Sequence, residues 1–250
     1  MDIKCWNGDA IECMKNIPDK SIRFALLDLP YALTQNKLDV RIPFEPMWEQ
    51  LNRIMMHDGT MAFYCQGLFF VDLVNSNRKM FRYDLVWDKI LTGSPLMAKI
   101  QPLRRHEQIA IFYKKVGVYN PQFTEGKPLH SKGHSFVNKE PTNRNYGKIK
   151  NTPDTRKGST QKYPTSIIRF QKPHPSKALS ATEKSVEANE WLIKTYSNEG
   201  DTVIDISSGS FTTGIACVNT NRNCILIEKD EQEFTKGKNR LFSMPYFINK

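Results

Sequence analysis

A short apolar run that stops at a proline turn places the strongest constraint on how this chain can fold. The run begins at Ile22 and leads directly into Asp28-Leu29-Pro30-Tyr31. It is short and bounded by a proline, so the pattern predicts a buried strand over Ile22–Asp28 rather than a helix. A carboxylate, a restricted turn and an aromatic ring then lie at the carboxyl end of a strand, where open α/β sheets bind ligands.

These residue types suit a flat base that carries an exocyclic amine. Asp28 can accept a hydrogen bond from the amine, a backbone carbonyl beside Pro30 can accept another, and Tyr31 can stack on the ring. A strand-terminating Asp-x-Pro turn without any function is the alternative, and the tetrapeptide alone leaves it open.

Length and composition predict one large α/β domain, or one such domain with an insertion. The 250 residues are 39% hydrophobic, which is enough for a core, and no apolar run reaches the ~20 residues that span a bilayer. The first residues do not have the pattern of a signal peptide. The five cysteines are scattered without a CxxC pair and the histidines lack metal-ligand spacing, so we expect no metal, no membrane and a cytoplasmic location.

The positive charge of the chain is concentrated in one segment. The formal net charge is +10, and residues 114–177 hold fourteen Lys or Arg against three acids, so the rest of the chain is close to neutral. One basic segment on a neutral body indicates a polyanionic partner. The Gly, Asn, Ser, Thr and Pro content of the segment also fits a soluble, partly disordered insertion.

Regular elements are predicted on both sides of this segment. Before it, we expect a helix over Phe44–Met56 with a stop at His57-Asp58-Gly59, strands at Thr60–Cys65, Tyr83–Trp87 and His106–Tyr113, and a helix over Leu68–Arg78. After it, we expect a helix over Thr182–Tyr196, strands at Thr202–Asp205 and Cys224–Glu228, a helix over Thr212–Asn219, and a last helix that Asp230 caps. A strand, a glycine-containing turn, a helix and a strand ending in an acid form one half of a nucleotide-binding α/β fold.

Asp28-Leu29-Pro30-Tyr31 and the 202–228 unit together resemble the DNA amino-methyltransferases. The order of base-binding motif, basic region and cofactor motif is similar to the permuted β group of that family, over nearly the full chain. The resemblance implies a Rossmann-like α/β sheet with helices on both faces and an inserted basic target-recognition region. The implied division is residues 1–113 for the base-binding half, 114–177 for the insertion and 178–250 for the cofactor-binding half.

The resemblance also implies an activity, methyl transfer from S-adenosylmethionine to adenine N6 of duplex DNA. The target base would be flipped out, with Asp28 and the carbonyl before Pro30 on its amine and Tyr31 stacked on its ring. Aspartate in first place favours adenine over cytosine, and DNA modification or restriction-modification is the implied setting. The implied cofactor-binding residues are Asp9, Thr182, Lys184, Asp205, Gly209, Phe211, Thr212 and Glu228, the last holding the ribose hydroxyls.

The basic segment would then contact DNA, through phosphates and a few base edges. Arg104-Arg105-His106-Glu107 lies just before it and is either a further DNA contact or a solvated turn. A homodimer is compatible with the sequence, which leaves the oligomeric state open. The DNA-binding candidates are Arg104, Arg105, Lys127, Lys132, Arg144, Lys148, Lys150, Arg156 and Lys157.

The cofactor motif departs from the family pattern. The second glycine of the family's Asp-x-x-x-Gly-x-Gly loop is Phe211 here, and Ser180-Ala181 replaces the His-Pro that opens a second motif. The Phe211 ring is expected either to fill the donor cavity or to rotate aside and stack on the adenine, so S-adenosylmethionine is expected to bind weakly or not at all. Three outcomes stay open: an adjusted pose of the same donor, a modified donor, or a DNA-binding pseudoenzyme without one.

A methyltransferase acting on protein or RNA is the alternative from another class. Such enzymes often carry asparagine where this chain has Asp28. The aspartate and the basic segment both favour DNA as the substrate.

Overall fold

The computed structural model describes residues 1–32, 39–93, 95–129, 156, 158–174, 176, 178–179 and 182–248. The chain divides into two compact units, one formed by Met1–Asn120 with Thr165–Lys250 and the other by Pro121–Pro164. The smaller unit lies inside the predicted basic insertion.

The larger unit is built on one eight-stranded sheet. Its strands are β1 (Ile3–Asn7), β2 (Ile22–Leu27), β3 (Met55–Cys65), β4 (Phe81–Asp88), β5 (His106–Phe112), β8 (Ile167–Arg169), β9 (Thr202–Asp205) and β10 (Asn223–Glu228). In the smaller unit, β6 (Thr124–Glu125) and β7 (Gln161–Lys162) pair antiparallel.

Helices cover both faces of the large sheet. They are α1 (Ala10–Met14), α2 (Phe44–Ile54), α3 (Gly67–Ser76), α4 (Val186–Tyr196), α5 (Thr212–Asn219), α6 (Glu231–Phe242) and α7 (Pro245–Ile248). The first three contribute to one apolar core, and α4, α5 and α6 contribute to a second core on the opposite face. None of these helices, within the ranges that the structure describes, has the length and apolar character needed to cross a bilayer.

The alternation of side chains along β2 explains why the sheet is covered twice. Ala25 and Leu27 are buried in the first core, whereas Phe24 and Leu26 are buried in the second. A strand that is apolar on both sides must be covered on both sides, which is typical of parallel sheets in α/β proteins. The predicted α/β class with helices on both faces is therefore confirmed.

The strand order brings several chain segments to one edge of the sheet. That order is β1-β10-β9-β2-β3-β5-β4-β8, and β5 alone runs antiparallel to its neighbours. Because β5 is reversed, its first residues lie beside the last residues of β3 and β4. This carboxyl edge therefore collects the ends of β2, β3, β4, β9 and β10 and the start of β5.

Three strands differ from the sequence-based expectation. The predicted helix over Phe44–Met56 with its stop at His57-Asp58-Gly59 is too long. Helix α2 ends at Ile54, and β3 follows at once and runs through these residues with a shift of register against β2. Ile167–Arg169 extends the main sheet beside β4, although no period marks it in the sequence. β1 was also not predicted, and it depends on parallel pairing with β10 at the far edge of the sheet.

Candidate active site

Asp28 lies immediately after β2, at the carboxyl edge of the sheet. Its carboxylate is partly buried, with 29% of the side chain exposed. The Oδ1 atom contacts the ammonium group of Lys184 at 3.0 Å and accepts a hydrogen bond from the Tyr31 hydroxyl at 3.2 Å. Burial raises the pKa of Asp28 and the Lys184 ammonium lowers it, with a net upward shift.

Lys184 is the centre of a chain of buried charges. Its ammonium group also contacts Glu107 Oε2 at 3.1 Å and lies 5.1 Å from the centre of the Tyr64 ring. The other carboxylate oxygen of Glu107 accepts from Lys89 at 3.0 Å. Although burial alone would raise it, the two lysines hold the pKa of Glu107 at about 2, so this carboxyl is ionised at neutral pH.

The Tyr31 ring stacks on Phe69 of α3, with ring centres 4.6 Å apart. The next residue, Ala32, has a left-handed backbone with φ of 54°, a region that favours glycine. The Ala32 N–H donates to Asp39 Oδ1 at 2.7 Å, which helps to hold this turn. The predicted aromatic residue of the base motif is thus fixed on one face by Phe69 and on its hydroxyl by Asp28.

The loop after β9 is joined directly to the base motif. The Ser207 hydroxyl donates to the backbone carbonyl of Asp28 at 3.0 Å. Asp205 ends β9 and accepts from the Ser207 N–H at 3.1 Å and from the Thr213 hydroxyl at 2.6 Å. Burial raises the pKa of Asp205 to about 7, although these donors act in the opposite direction.

Gly209 and Glu228 form the part of this loop that is open to a ligand. Gly209 has φ of 45°, and a Cβ atom built on it would meet nothing within 4 Å. Glu228 ends β10 and accepts from the backbone N–H groups of Gly209 at 2.8 Å and Asp230 at 2.9 Å. A carboxylate has about four acceptor sites, so Glu228 keeps capacity for two further donors.

The Phe211 ring does not lie at this open surface, and both expected placements of it are wrong. The side chain is fully buried in the core beside α5 and α6, in T-shaped contact with Phe234 at 5.7 Å. The backbone keeps the left-handed conformation of a glycine, with φ of 60°. Gly237 on α6 provides the room, because a Cβ atom there would lie 2.5 Å from the ring.

Of the other predicted cofactor residues, Asp9 and Thr212 have structural partners and Thr182 lies at the surface. Asp9 caps α1 through the Ile11 N–H at 3.0 Å and forms an ion pair with Lys229 at 3.2 Å. Thr182 is exposed. The Thr212 hydroxyl is buried 3.0 Å from Ser210 Oγ.

The predicted DNA-binding residues fall into three groups. Arg104 donates to Gln66 at 3.1 Å, while Arg105 holds Asp88 through two hydrogen bonds of 2.7 and 3.0 Å. In the smaller unit Lys127 is exposed, and the guanidinium of Arg156 lies 4.2 Å from the centre of the Tyr163 ring. Five candidates lie outside the described residues: Lys132, Arg144, Lys148, Lys150 and Lys157.

Several side chains of the site are not among those predicted from the sequence. Glu107, one of four residues expected in a DNA contact or a solvated turn, is buried in the charge chain instead. Tyr64 donates to Asn189 at 2.8 Å, and Asn189 donates to Thr213 at 3.3 Å, so a buried hydrogen-bonded line runs from β3 to Asp205. The acid at the start of an otherwise apolar strand was the available signal for Glu107.

Arg240 ties α6 to the same region. Its guanidinium contacts the Glu183 carboxylate at 2.7 Å and donates to the Ser210 carbonyl at 3.0 Å. The Glu183 side chain is only 1% exposed. The residues before α4 and the loop after β9 are therefore held by one cation. Within the described ranges, His, Cys, Asp and Glu nowhere form a group of three or more able to hold a metal ion.

Two known proteins similar to this chain in sequence are DNA methyltransferases. The DNA adenine methyltransferase YhdJ of Escherichia coli K12 is 26% identical over 94% of this chain and 81% of its own. The type II methyltransferase M.HpaI of Haemophilus parainfluenzae is 24% identical over 97% of this chain and 75% of its own.

Solved structures share the fold. The M1.HpyAVI–SAM complex has a TM-score of 0.64 at 22% identity, covering 96% of this chain and 98% of that one. The cytosine-N4-specific PvuII DNA methyltransferase has a TM-score of 0.69 at 14% identity, covering 98% and 88%. A family model described as DNA methylase matches residues 26–239. The chain belongs to this DNA methylase family.

Proposed function

We propose that this protein transfers a methyl group from S-adenosylmethionine to adenine N6 in duplex DNA, acting on a base flipped out of the helix. The observation that carries the proposal is the hydrogen bond from Ser207 to the Asp28 carbonyl, 3.0 Å long. It joins the base motif to the loop beside Gly209, so a base at Asp28 and a donor at this loop would be neighbours. Methyl transfer needs that proximity.

The residues beside Gly209 fit the cofactor. Open space over a left-handed glycine permits a ligand to approach the backbone closely. The spare acceptor sites of Glu228 suit a pair of ribose hydroxyls. With Phe211 in the core, that departure no longer favours a modified donor or a pseudoenzyme. The other departure, Ser180-Ala181, lies outside the described residues.

When bound, S-adenosylmethionine would supply an electrophilic methyl group from its sulfonium and would leave as the neutral thioether, and the proton that the amine nitrogen loses would pass to solvent water. Asp28 and the carbonyl before Pro30 accept the amine hydrogens, which keeps the nitrogen lone pair directed at the methyl group. Tyr31, packed on Phe69 through one face, offers the other face of its ring to the base.

The basic insertion is the proposed DNA-recognition region. Phosphate contacts by its Lys and Arg residues, including Lys127 and Arg156, would position the duplex, and a smaller number of side chains would read base edges. The proposed boundaries remain 114–177. Arg104 and Arg105 border the site at the carboxyl edge, and their contact with DNA is part of this proposal.

The test is a methylation assay on plasmid DNA followed by mass spectrometry of the digested nucleosides. N6-methyladenine should form with the native protein and should be lost in Asp28→Ala, while DNA affinity stays within about threefold because phosphates supply most of the binding energy. Tyr31→Ala should cost about 1–3 kcal/mol of base stacking, with Tyr246→Ala in α7, outside the site and the insertion, as the matched tyrosine control. N4-methylcytosine as the product, or full turnover by Asp28→Ala, would contradict the proposal.

A further inference from the structure

Four charged side chains, Lys89, Glu107, Lys184 and Asp28, form a continuous chain of contacts that ends at the base motif Asp28-Leu29-Pro30-Tyr31. The contacts run from Lys89 to Glu107 at 3.0 Å, from Glu107 to Lys184 at 3.1 Å and from Lys184 to Asp28 at 3.0 Å. The side chains of the first three are about one-tenth exposed. Buried ion pairs are weak contributors to stability, because apolar side chains of similar volume often serve as well or better. A role in the site therefore explains this chain better than stability does.

The contacts on Asp28 are unequal at its two oxygens. Lys184 and Tyr31 both contact Oδ1. Among the residues that the structure describes, no side chain or backbone N–H donates to Oδ2. Within the described residues the carboxylate is thus fixed through one oxygen, and its other oxygen can accept a hydrogen bond from a ligand.

We propose that Lys184 is a positioning residue of the base pocket, held by Glu107, and not a ligand of the cofactor. Its ammonium group fixes Oδ1 of Asp28 and so directs Oδ2 at the amine of the target base. This assignment rests on the proposed function. It departs from the family resemblance, which assigned Lys184 to the cofactor half.

The charge of Asp28 matters for this role as much as its orientation. An ionised carboxylate is only an acceptor, whereas a protonated one presents an O–H donor to the amine. Burial disfavours the ionised form of Asp28, and the Lys184 ammonium offsets that effect. Among the described residues, the charged or titratable side chains at this carboxyl are Lys184 before α4, Glu107 on β5, Tyr31 after β2, Tyr64 on β3 and Asp205 on β9. Those next along the charge chain are Lys89 after β4, Lys172 after β8 and Cys65 on β3.

Lys184 and Glu107 act on Asp28 with opposite sign. Lys184 lowers the pKa of Asp28, and the Glu107 carboxylate raises it. Removing the lysine charge should therefore raise this pKa, and removing the glutamate charge should lower it. A residue that merely fills space would not produce opposite shifts.

The experiment is a ¹³C NMR titration of the full chain labelled at the aspartate carboxyls, with Asp28→Asn identifying the signal. We expect Lys184→Met to move the Asp28 midpoint upward by about 1–3 pH units, Glu107→Gln to move it downward, and Lys184→Arg to leave it near the native value. Cooperative melting checks that each variant is folded. If Lys184→Met does not fold, the opposing shift in Glu107→Gln and the retained midpoint in Lys184→Arg decide the matter.

A second measurement separates positioning from cofactor binding. Lys184→Met should slow single-turnover methyl transfer roughly 10²-fold while the S-adenosylmethionine Kd, from calorimetry, changes by less than about threefold. A large rise in that Kd with an unmoved Asp28 midpoint would overturn the assignment, as would midpoints that shift in the same direction in both variants. If the native protein transfers no methyl group, the proposed function fails, yet the titration still tests the control of Asp28 by Lys184.

Discussion

The Phe211 ring occupies the space that a side chain at position 237 would need. A Cβ atom built on Gly237 would lie 2.5 Å from Cδ1 of Phe211 and 2.6 Å from the carbonyl oxygen of Gly209. The loop keeps the backbone of a glycine while the ring is stored in the core. In the sequence, Phe211 in place of the family's glycine suggests a blocked cofactor pocket. In the structure its ring packs instead into the space that Gly237 leaves on α6.

Phe211→Ala should destabilise the protein by about 3–5 kcal/mol, because it leaves a cavity where a buried ring was. Gly237→Ala should also destabilise it, through overpacking against that ring. The double variant should cost less than the sum, although the Gly209 carbonyl prevents full rescue. Urea unfolding measures the cycle. Phe242→Ala, at a ring that is 39% exposed, is the matched control, and equal losses for the two rings would contradict this account.

Phe211→Gly should not improve S-adenosylmethionine binding. The native ring lies in the core, so its removal opens no space at the Gly209 surface. Calorimetric titration of both proteins measures the comparison, and the Kd of the variant should equal or exceed the native value. A tenfold gain in affinity would show that the Phe211 ring obstructs the cofactor site and would contradict its placement in the core.

Arg240→Met should destabilise the protein by about 3–5 kcal/mol, since it leaves the buried Glu183 carboxylate without its cation. Adding Glu183→Gln should recover most of this loss, because the group left behind is then neutral. Thermal and urea unfolding of the single and double variants measure the recovery. Lys236→Met, which removes the exposed ion pair to Glu233 on the same helix, is the control and should have little effect. If the double variant recovers no stability, Arg240 and Glu183 contribute to stability independently of each other, which would contradict this account.

The raised pKa of Asp205 predicts a pH-dependent cost to stability. Burial raises this pKa from 3.8 to about 7, so the folded state holds a proton that the unfolded chain releases near pH 4. The associated stability is complete below pH 4 and is lost as the pH rises to 7, with a slope of at most about 1.4 kcal/mol per pH unit. The difference in unfolding free energy between Asp205→Asn and the native protein should therefore be more favourable to the variant at pH 8 than at pH 4. Urea midpoints of both proteins measure this, and the surface variant Asp2→Asn should show no such trend.

DNA affinity should fall steeply with salt, and the basic insertion should carry it. Replacing residues 121–164 with a short Gly-Ser linker should abolish binding while the larger unit still melts cooperatively, since those residues form a separate compact unit. Fluorescence anisotropy across a salt series measures the slope. A smaller deletion of 127–162 keeps β6 but removes β7, and it should give the same loss. Retained affinity, or loss of cooperative melting, would contradict the role of this segment.

The sequence predicted the central strands and the helices beside them, because each carries a local period. β2, β9 and β10 were placed within about one residue of their observed limits. β8 was not, because Ile167–Arg169 is too short to show a period and depends on pairing with β4.

The charge chain could not be predicted from the sequence. Spacing along the chain assigned Lys184 to the cofactor half, but only the strand order brings its side chain to Asp28 and Glu107. The reversal of β5, which carries Glu107 to the carboxyl edge, has no local signature. The same holds for Gly237, whose importance depends on a ring 26 residues earlier.

The position of β2 between β3 and β9 has a consequence for how the protein is made. Asp28 leaves the ribosome early, but Lys184 and Ser207 emerge only near the end of synthesis. At about 5–20 residues per second, roughly 8–30 s separate Asp28 from Lys184. During this interval β2 can pair with β3, but its other edge has no partner until β9 is made. We therefore expect chaperones to bind the nascent chain.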